Sequence, residues 1–286
     1  MVSSIRDRIF DWIIIAVLGI VAVICIFPLL YVLSTSLTPY AQYLKSGGIV
    51  LIPTSFTFDA YKQLFQYGGV IQAFGVTVTI TVIGTVINMV LTTLMAYALS
   101  RRGLPARRVF LLLIIFTLLF NPGIIPLYLV VKATGLLNSI WAMIIPNAIW
   151  SFNVLVMKSF FENLPEELLE AARIDGAGEF RILCQLVIPL SIPVMLTIGL
   201  FYTVGHWNEY FQAIMYVTNP NIYPIQVVID NILNQSQNTL ESADTLVPTI
   251  TMQMAAVIVA SIPIIAVYPF IQKHFTKGMM IGAIKG

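Results

Sequence analysis

The sequence predicts an all-α, polytopic membrane protein with six transmembrane helices in a single domain, residues 1–286. Of its 286 residues, 58% are hydrophobic and only 10% are charged, and the mean hydropathy is +0.91. A soluble fold carries about 25% charged residues, so this chain has too few ions to cover a water-exposed surface. A span needs roughly 20 mostly apolar residues, and helical structure satisfies the backbone hydrogen bonds inside hydrocarbon. The predicted spans are residues 12–33, 71–99, 109–131, 139–157, 190–211 and 247–271.

The first span is expected to be retained as a helix. Its apolar run follows Arg6 and Arg8, exceeds the roughly 7–15 residues of a signal-peptide core, and is followed by no small-x-small cleavage site. The second, fourth and sixth spans contain no charged residue. The third is interrupted by Asn-Pro-Gly at 121–123, which should kink or locally unwind the helix. The fifth carries His206 and Glu209 toward its end.

Lysine and arginine predict which side of the membrane each loop faces, because they concentrate on the cytoplasmic side. Six spans put both termini on the same side. If that side is the cytoplasm, only Lys45, Lys62 and Lys132 lie outside. The other twelve basic residues then lie inside: Arg6, Arg8, Arg101, Arg102, Arg107, Arg108, Lys158, Arg173, Arg181, Lys273, Lys277 and Lys285. This bias supports cytoplasmic termini and a count of six.

The one long cytoplasmic loop, residues 162–189, is predicted to form two short helices. Pro165 followed by two glutamates is typical of a helix start, and Gly176 is a natural left-handed stop. A second helix is expected over 177–187, with Pro189 ending it before the fifth span. Such a hairpin could enter a cleft of another protein, or it could lie on the lipid headgroups.

The same loop carries a motif of high specificity. It reads Glu170-Ala171-Ala172-Arg173-Ile174-Asp175-Gly176, nine further residues, and then Leu186-Val187-Ile188-Pro189. This pattern resembles the EAA loop of ABC importer permeases, with each fixed position at the expected spacing. The flanking residues, the Trp-Asn-Glu sequence at 207–209 and the C-terminal tail resemble the MalG-like carbohydrate importer family. The resemblance implies a type I ABC importer (MetI-like) permease fold.

The resemblance also implies partners and site residues. The chain would be a transport subunit and not an enzyme, located in the bacterial cytoplasmic membrane. It would pair with a homologous second permease, two ATP-binding subunits and an extracytoplasmic solute-binding protein that delivers an oligosaccharide. Residues 278–286, within a cytoplasmic tail of residues 272–286, would be a second ATPase contact, and no nucleic acid is expected. The residues implied in ATPase coupling are Glu170, Ala171, Ala172, Asp175, Gly176 and Pro189.

The energy source is expected to lie outside this chain. The sequence contains no Walker A pattern and no glycine followed by lysine, so ATP and magnesium would be bound by the partner ATPases, and no cofactor or metal by this chain. Carriers driven by protons or sodium bury ionisable residues in the membrane, and five of the six spans have none. The rival hypotheses are a proton-coupled carrier that uses His206 and Glu209, and a membrane scaffold that moves no solute.

Polar residues inside the spans are the candidates for the translocation pathway. Trp207, Asn208, Glu209 and Tyr210 combine the aromatic faces and the amide and carboxylate groups that suit a sugar. The alternatives are an aromatic belt at the interface and packing of Asn208 against a neighbouring helix. Asn121, at the third-span break, could expose backbone carbonyls to a cavity or simply mark a kink. The sequence leaves open whether the sugar is neutral or contains uronic acids.

Overall fold

The computed structural model describes the backbone of residues 5–235 and 249–283, and the side chains of residues 10–235 and 249–266. All regular structure in these ranges is helical. The chain divides into two compact units, which are described separately. One comprises residues 1–70 with 229–262, and the other comprises residues 71–228 with 263–286.

The first unit begins with a long helix that is apolar on every side. Helix α1, Ile5–Ser36, has a hydropathy of 3.2 in its apolar part, and none of that part is buried. A helix that is apolar all round belongs in a membrane or a large core. Two short helices follow, α2 at Tyr40–Lys45 and α3 at Asp59–Gln66. The end of α1 is held to this segment by a 2.8 Å hydrogen bond between the Ser36 and Tyr61 hydroxyls.

The second unit contains a second long helix and the first of three bent helix pairs. Helix α4 runs over Val70–Ser100 and covers the second predicted span. Helices α5, Arg107–Leu119, and α6, Ile124–Ala133, meet at 119°. The break at 121–123 is confirmed, but it is far larger than a proline kink. Gly123 adopts φ +85°, which turns the chain back instead of only bending it.

The fourth and fifth predicted spans are also interrupted. Two 3₁₀ turns, Ile140–Met143 and Ile145–Asn147, lead at 49° into α7, Ser151–Glu162. The segment Glu179–Leu190 meets α11, Ile192–Trp207, at 86°. The helices that follow α7, apart from α11, are α8 at Glu166–Ile174, α9 at Glu179–Ile182, α10 at Ile188–Leu190, α12 at Phe211–Tyr216, α13 at Ile225–Gln235 and α14 at Ile250–Ala283.

The predicted spans correspond to particular segments of this structure. Within the described part, α1 and α4 are each long and apolar enough to cross a membrane, and the three bent pairs pass the same criterion when each is taken as one. A sixth apolar helix covers Ile250–Ala266. The number of segments that cross the membrane stays a prediction. Helix α14 continues to Ala283, so the backbone of the predicted tail is helical as far as that residue.

Two predictions fall partly outside the description. Residues 236–248, in the amide-rich segment expected to be external, lie outside the described residues, as do 284–286 of the tail. Nor are the side chains of 267–286 described, and these include most of the contacts expected from the tail.

The core of the second unit joins the loop at residues 162–189, predicted to be cytoplasmic, to the predicted spans. Leu169 and Ile182 of the loop are buried in the same cluster as side chains of α4, α7 and α11. Burying apolar side chains stabilises by roughly 1.5–3 kcal/mol each, so the loop is packed onto the helices and is not a free arm. The buried members are Ala96, Tyr97, Leu99, Ile114, Val154, Met157, Phe161, Leu169, Ile182, Leu183, Val187, Val194, Ile198 and Tyr202.

Candidate functional site

The first arm of the loop at residues 162–189 has the predicted form. Helix α8 begins at Glu166 immediately after Pro165, with two acids in its first turn and Arg173 in its last. Carboxylates near the N-terminus and a cation near the C-terminus both oppose the helix dipole. The helix ends as expected at Gly176, which adopts φ +79°. The N–H of Ala177 then donates to the Ala172 carbonyl at 2.9 Å, which closes the turn.

The second arm differs from its prediction. It begins at Glu179, changes to a π turn over Leu183–Val187, and continues through Leu190. Pro189 was expected to end this helix, but it lies inside the first turn of α10. Proline has no N–H to donate, so this continuous helix loses one backbone hydrogen bond there, and it ends one residue later at Leu190. The break comes instead at Ser191, where the chain turns by 86° into α11.

Helix α8 has an anchored face and an exposed face. Leu169 is 4% exposed and packs in the core of the second unit. On the outside, Ile174 is 85% exposed and Phe180 is 74% exposed, with Leu168 at 47%. The coupling residues predicted from the motif, Glu170, Ala171, Asp175 and Gly176, are also exposed, whereas Ala172 is half-buried against the core. The loop therefore presents an apolar tip, formed by Leu168 and Ile174 of α8 and Phe180 of α9, while Leu169 fixes α8 from behind.

A polar contact links this loop to α4. The Tyr97 hydroxyl donates to the Glu179 carboxylate and lies 3.2 Å from the Glu179 carbonyl oxygen. The other carboxylate oxygen accepts from Arg173 Nε at 2.9 Å. The Tyr97 hydroxyl, and then the Arg173 guanidinium, hold the pKa of Glu179 below its usual range. The Arg101 guanidinium lies 4.1 Å from the centre of the Tyr97 ring.

This contact borders a cleft of about 1040 Å³ between the α4–α5 turn and α8. Four arginines and three glutamates line it, and several are paired with each other. Arg107 and Lys158 both bind Glu162, so the start of α5 is tied to the end of α7. The sequence analysis did not identify Tyr97 or Glu179, because they are 82 residues apart and neither belongs to a fixed position of the motif.

At the other end of α11, His206 is part of the packing between helices. It is 3% exposed, and its Nε2 lies 3.1 Å from Asn88 Nδ2 on α4. Asn88 also donates to the Asn147 carbonyl at 3.3 Å. Gly84 allows this close approach, because a Cβ at that position would lie 2.5 Å from His206 Nε2. Asn88 therefore bonds between helices, as expected for a single amide in an apolar span.

The four residues predicted to line the pathway do not share one helix. Trp207 is the last residue of α11, is 6% exposed, and packs edge-to-face on Phe74 with ring centroids 5.6 Å apart. Asn208 is exposed, and its side chain donates to the Val204 carbonyl at 2.9 Å. Glu209 and Tyr210 follow the end of α11, whereas the fifth span was predicted to reach residue 211. Trp207, Asn208, Glu209 and Tyr210 all stay pathway candidates.

Glu209 has a local structural partner. Its Oε1 accepts from the backbone N–H of Gln212 at 3.0 Å, in the first turn of α12. Within the described residues, the Glu209 N–H donates to the His206 carbonyl at 3.2 Å, a backbone bond between the two residues.

Asn121 also has a local role. Its Oδ1 accepts from the Gly123 N–H at 2.9 Å, so the side chain stabilises the turn between α5 and α6. Asparagine commonly makes such a bond two residues along the backbone. Asn121 is exposed, so it stays a pathway candidate.

Comparison with known proteins identifies the same architecture. The profile of the family described as binding-protein-dependent transport system inner membrane component matches residues 88–281. The polygalacturonan/rhamnogalacturonan transport system permease protein YtcP of Bacillus subtilis (strain 168) is 42% identical, over 98% of this chain and 100% of that protein. Protein LplC of the same organism is also 42% identical, over 98% and 96%.

A solved structure is similar over nearly the whole length. It is the crystal structure of a bacterial ABC transporter involved in the import of the acidic polysaccharide alginate. The match has a TM-score of 0.88 and 31% identity, and it covers 96% of this chain and 99% of that one. This likeness confirms the predicted all-α, MetI-like permease fold. Proteins of this kind are transport subunits and not enzymes.

Proposed function

Because this chain belongs to the binding-protein-dependent transport system inner membrane component family, we propose that it moves an oligosaccharide delivered by an extracytoplasmic solute-binding protein. Two separate ATP-binding subunits supply the energy, and a homologous second permease completes the pathway. Residues 162–189 are the coupling loop that receives the motion of the ATPase. Six helices cross the membrane, and both termini are cytoplasmic.

The observation that carries this proposal is the two-faced form of α8. The exposed apolar tip, Leu168 and Ile174 of α8 with Phe180 of α9, is a surface that water disfavours and a partner cleft can cover. The inner face of α8 is fixed through Leu169 in the core of the second unit. Without this anchor, α8 could follow the ATPase without displacing the predicted spans. With the anchor, closure of the ATPase pair displaces the helices that pack against Leu169.

The similarity to relatives supports an acidic oligosaccharide as cargo. One relative at 42% identity is a permease for polygalacturonan and rhamnogalacturonan. The structure at TM-score 0.88 belongs to a transporter of the acidic polysaccharide alginate. No lysine or arginine lies in the predicted spans of this chain, so cationic groups that neutralise the cargo come from the second permease. On this chain, Asn208, Glu209 and Asn121 offer polar contacts to sugar hydroxyls.

The docking role is tested by placing a charge on the exposed tip. Ile174→Glu should leave the fold intact, because the side chain is 85% exposed, and should release the ATPase subunits from the purified complex. Ile52→Glu is the matched control, since Ile52 is 82% exposed in a segment predicted to be external. ATPase that copurifies equally with both variants would refute docking through α8.

The cargo is tested by uptake into cells that express the complete importer. Oligogalacturonides should be accumulated in an ATP-dependent manner and should not be displaced by neutral malto-oligosaccharides of the same length. Uptake of the neutral sugars alone would overturn the acidic assignment and leave the importer function standing. Uptake that survives ATP depletion but collapses with an uncoupler would favour the proton-coupled carrier instead.

A further inference from the structure

The Glu179 carboxylate lies at the junction of the coupling loop and the longest helix of the second unit. We propose that Glu179 is a positioning residue that transmits the displacement of α8 to α4 during transport. This inference rests on the proposed function, because it assigns a path for the motion that the coupling loop receives. Glu179 lies outside the fixed positions of the motif, whose glycine is Gly176.

Each oxygen of the carboxylate serves a different element. Oε1 accepts from Arg173 Nε at 2.9 Å, and Arg173 belongs to the last turn of α8. Oε2 accepts from the Tyr97 hydroxyl, and Tyr97 lies one turn before the end of α4. The same hydroxyl lies 3.2 Å from the Glu179 carbonyl oxygen, so the tyrosine contacts both backbone and side chain. A displacement of α8 is thus passed through two hydrogen bonds to α4.

The α4 end of this connection is rigid. Tyr97 is 7% exposed, and its ring packs on Phe161 of α7 with centroids 6.5 Å apart. Its hydroxyl cannot follow Glu179 without moving the ring, and the ring cannot move without disturbing the close-packed core. Hydrogen bonds to an ionised carboxylate are also stronger than neutral ones. A displacement of Glu179 is therefore expected to move α4 as well.

Arg101 lies beside the same connection. Its guanidinium is 4.1 Å from the centre of the Tyr97 ring, and its Nε and Nη2 are buried with no hydrogen-bond partner in the described part of the chain. Buried donors without partners are rare and unfavourable. After the Tyr97 hydroxyl and Arg173, the positive charge of Arg101 contributes least to the lowered pKa of Glu179. When α8 moves Arg173 away, Glu179 can pair with Arg101 at the end of α4, which gives the connection two discrete arrangements.

The test uses the complete importer, with both permeases, the ATPases and the binding protein, in proteoliposomes. The variants are Glu179→Gln, which keeps the shape but removes the charge, and Tyr97→Phe, which keeps the ring but removes the hydroxyl. Both should retain copurifying ATPase and should lower the sugar transported per ATP hydrolysed, by roughly 2- to 30-fold. The double variant should be no worse than the worse single variant, because both remove the same connection.

The matched control is Glu167→Gln, which neutralises an exposed carboxylate in the first turn of α8. This variant should transport as much sugar per ATP hydrolysed as the unmodified protein. Loss of ATPase activity and uptake in equal proportion in the Glu179 and Tyr97 variants would indicate a structural role only and would overturn the inference. The inference would also be overturned if both variants kept the unmodified amount of sugar transported per ATP hydrolysed. The same holds if the losses of the two single variants add up in the double variant. An unmodified complex without ATP-dependent uptake would instead refute the proposed function itself.

Discussion

A methyl group added at Gly84 should destabilise the contact between α4 and α11. An ideal Cβ there would lie 2.5, 2.7 and 2.8 Å from Nε2, Cε1 and Cδ2 of His206. Real contacts of Cβ essentially never fall below 3.0 Å. The imidazole has little room to move, since it is 3% exposed and its Nε2 lies 3.1 Å from Asn88 Nδ2.

The size of the effect follows from three contributions. Overpacking of a close-packed interior typically costs about 1–3 kcal/mol, and separating His206 from Asn88 leaves a buried polar group unpaired, at about 1–3 kcal/mol. Alanine is favoured over glycine within a helix by about 1 kcal/mol. Gly84→Ala should therefore lose about 1–5 kcal/mol of stability, and each kcal/mol lowers Tm by roughly 2–4 °C for a domain of this size.

The measurement is size-exclusion of the heated importer complex, with a fluorescent tag on this chain. Gly75→Ala is the matched control, because Gly75 lies in the same helix with no atom within 4 Å of an added Cβ. It should not lower Tm. In a His206→Ala background, Gly84→Ala should also cease to destabilise, because the ring is gone. An equal loss of Tm in both backgrounds, or equal behaviour of the two glycine variants, would refute the contact.

Four further outcomes are expected. Gly205→Ala should lower Tm by several degrees in the same assay, because its Cβ would lie 2.6 Å from the Trp150 ring. Gly199→Ala should be tolerated, because its neighbour is at 3.7 Å. Gly176→Val should weaken ATPase copurification more than Gly176→Asn does, since φ +79° costs a β-branched residue about 1–3 kcal/mol and asparagine adopts the left-handed region readily. The lowered pKa of Glu179 stabilises the folded chain above the unfolded value, about 4.3, and this is lost as pH falls through the lowered value. Tm measured from pH 6 to pH 3.5 should fall more steeply for the unmodified protein than for Glu179→Gln.

The features that the sequence predicted well are those set by neighbouring residues. The start of α8 after Pro165 and its end at Gly176 depend on backbone preferences within one turn, and both are found in the structure. The interruption at 121–123 has the same origin. Its angle of 119° was not predictable, because it depends on how α5 and α6 pack and not on the Asn-Pro-Gly sequence alone.

The features that the sequence did not predict depend on contacts between distant residues. The Tyr97–Glu179 bond spans 82 positions, and a tyrosine near a helix end has no pattern that identifies its partner. The His206–Asn88 contact spans 118 positions. His206 was therefore open to interpretation as a proton carrier until its packing against α4 was known. Glu209 was placed inside the fifth span because hydropathy does not show that α11 ends at Trp207.

The coupling loop combines two kinds of contact that respond differently to motion. Leu169 packs in the core with Phe161 and Ile182, and such apolar contact resists separation but has little directional preference. The hydrogen bonds of Glu179 have fixed partners and geometry, so they select the direction in which α4 follows. Loss of the apolar packing of Leu169 should detach the loop from the helices. Loss of the Glu179 hydrogen bonds should leave the loop attached but unable to move α4. Leu169→Ala should therefore lower both stability and ATPase copurification, while Glu179→Gln should lower only the sugar moved per ATP hydrolysed.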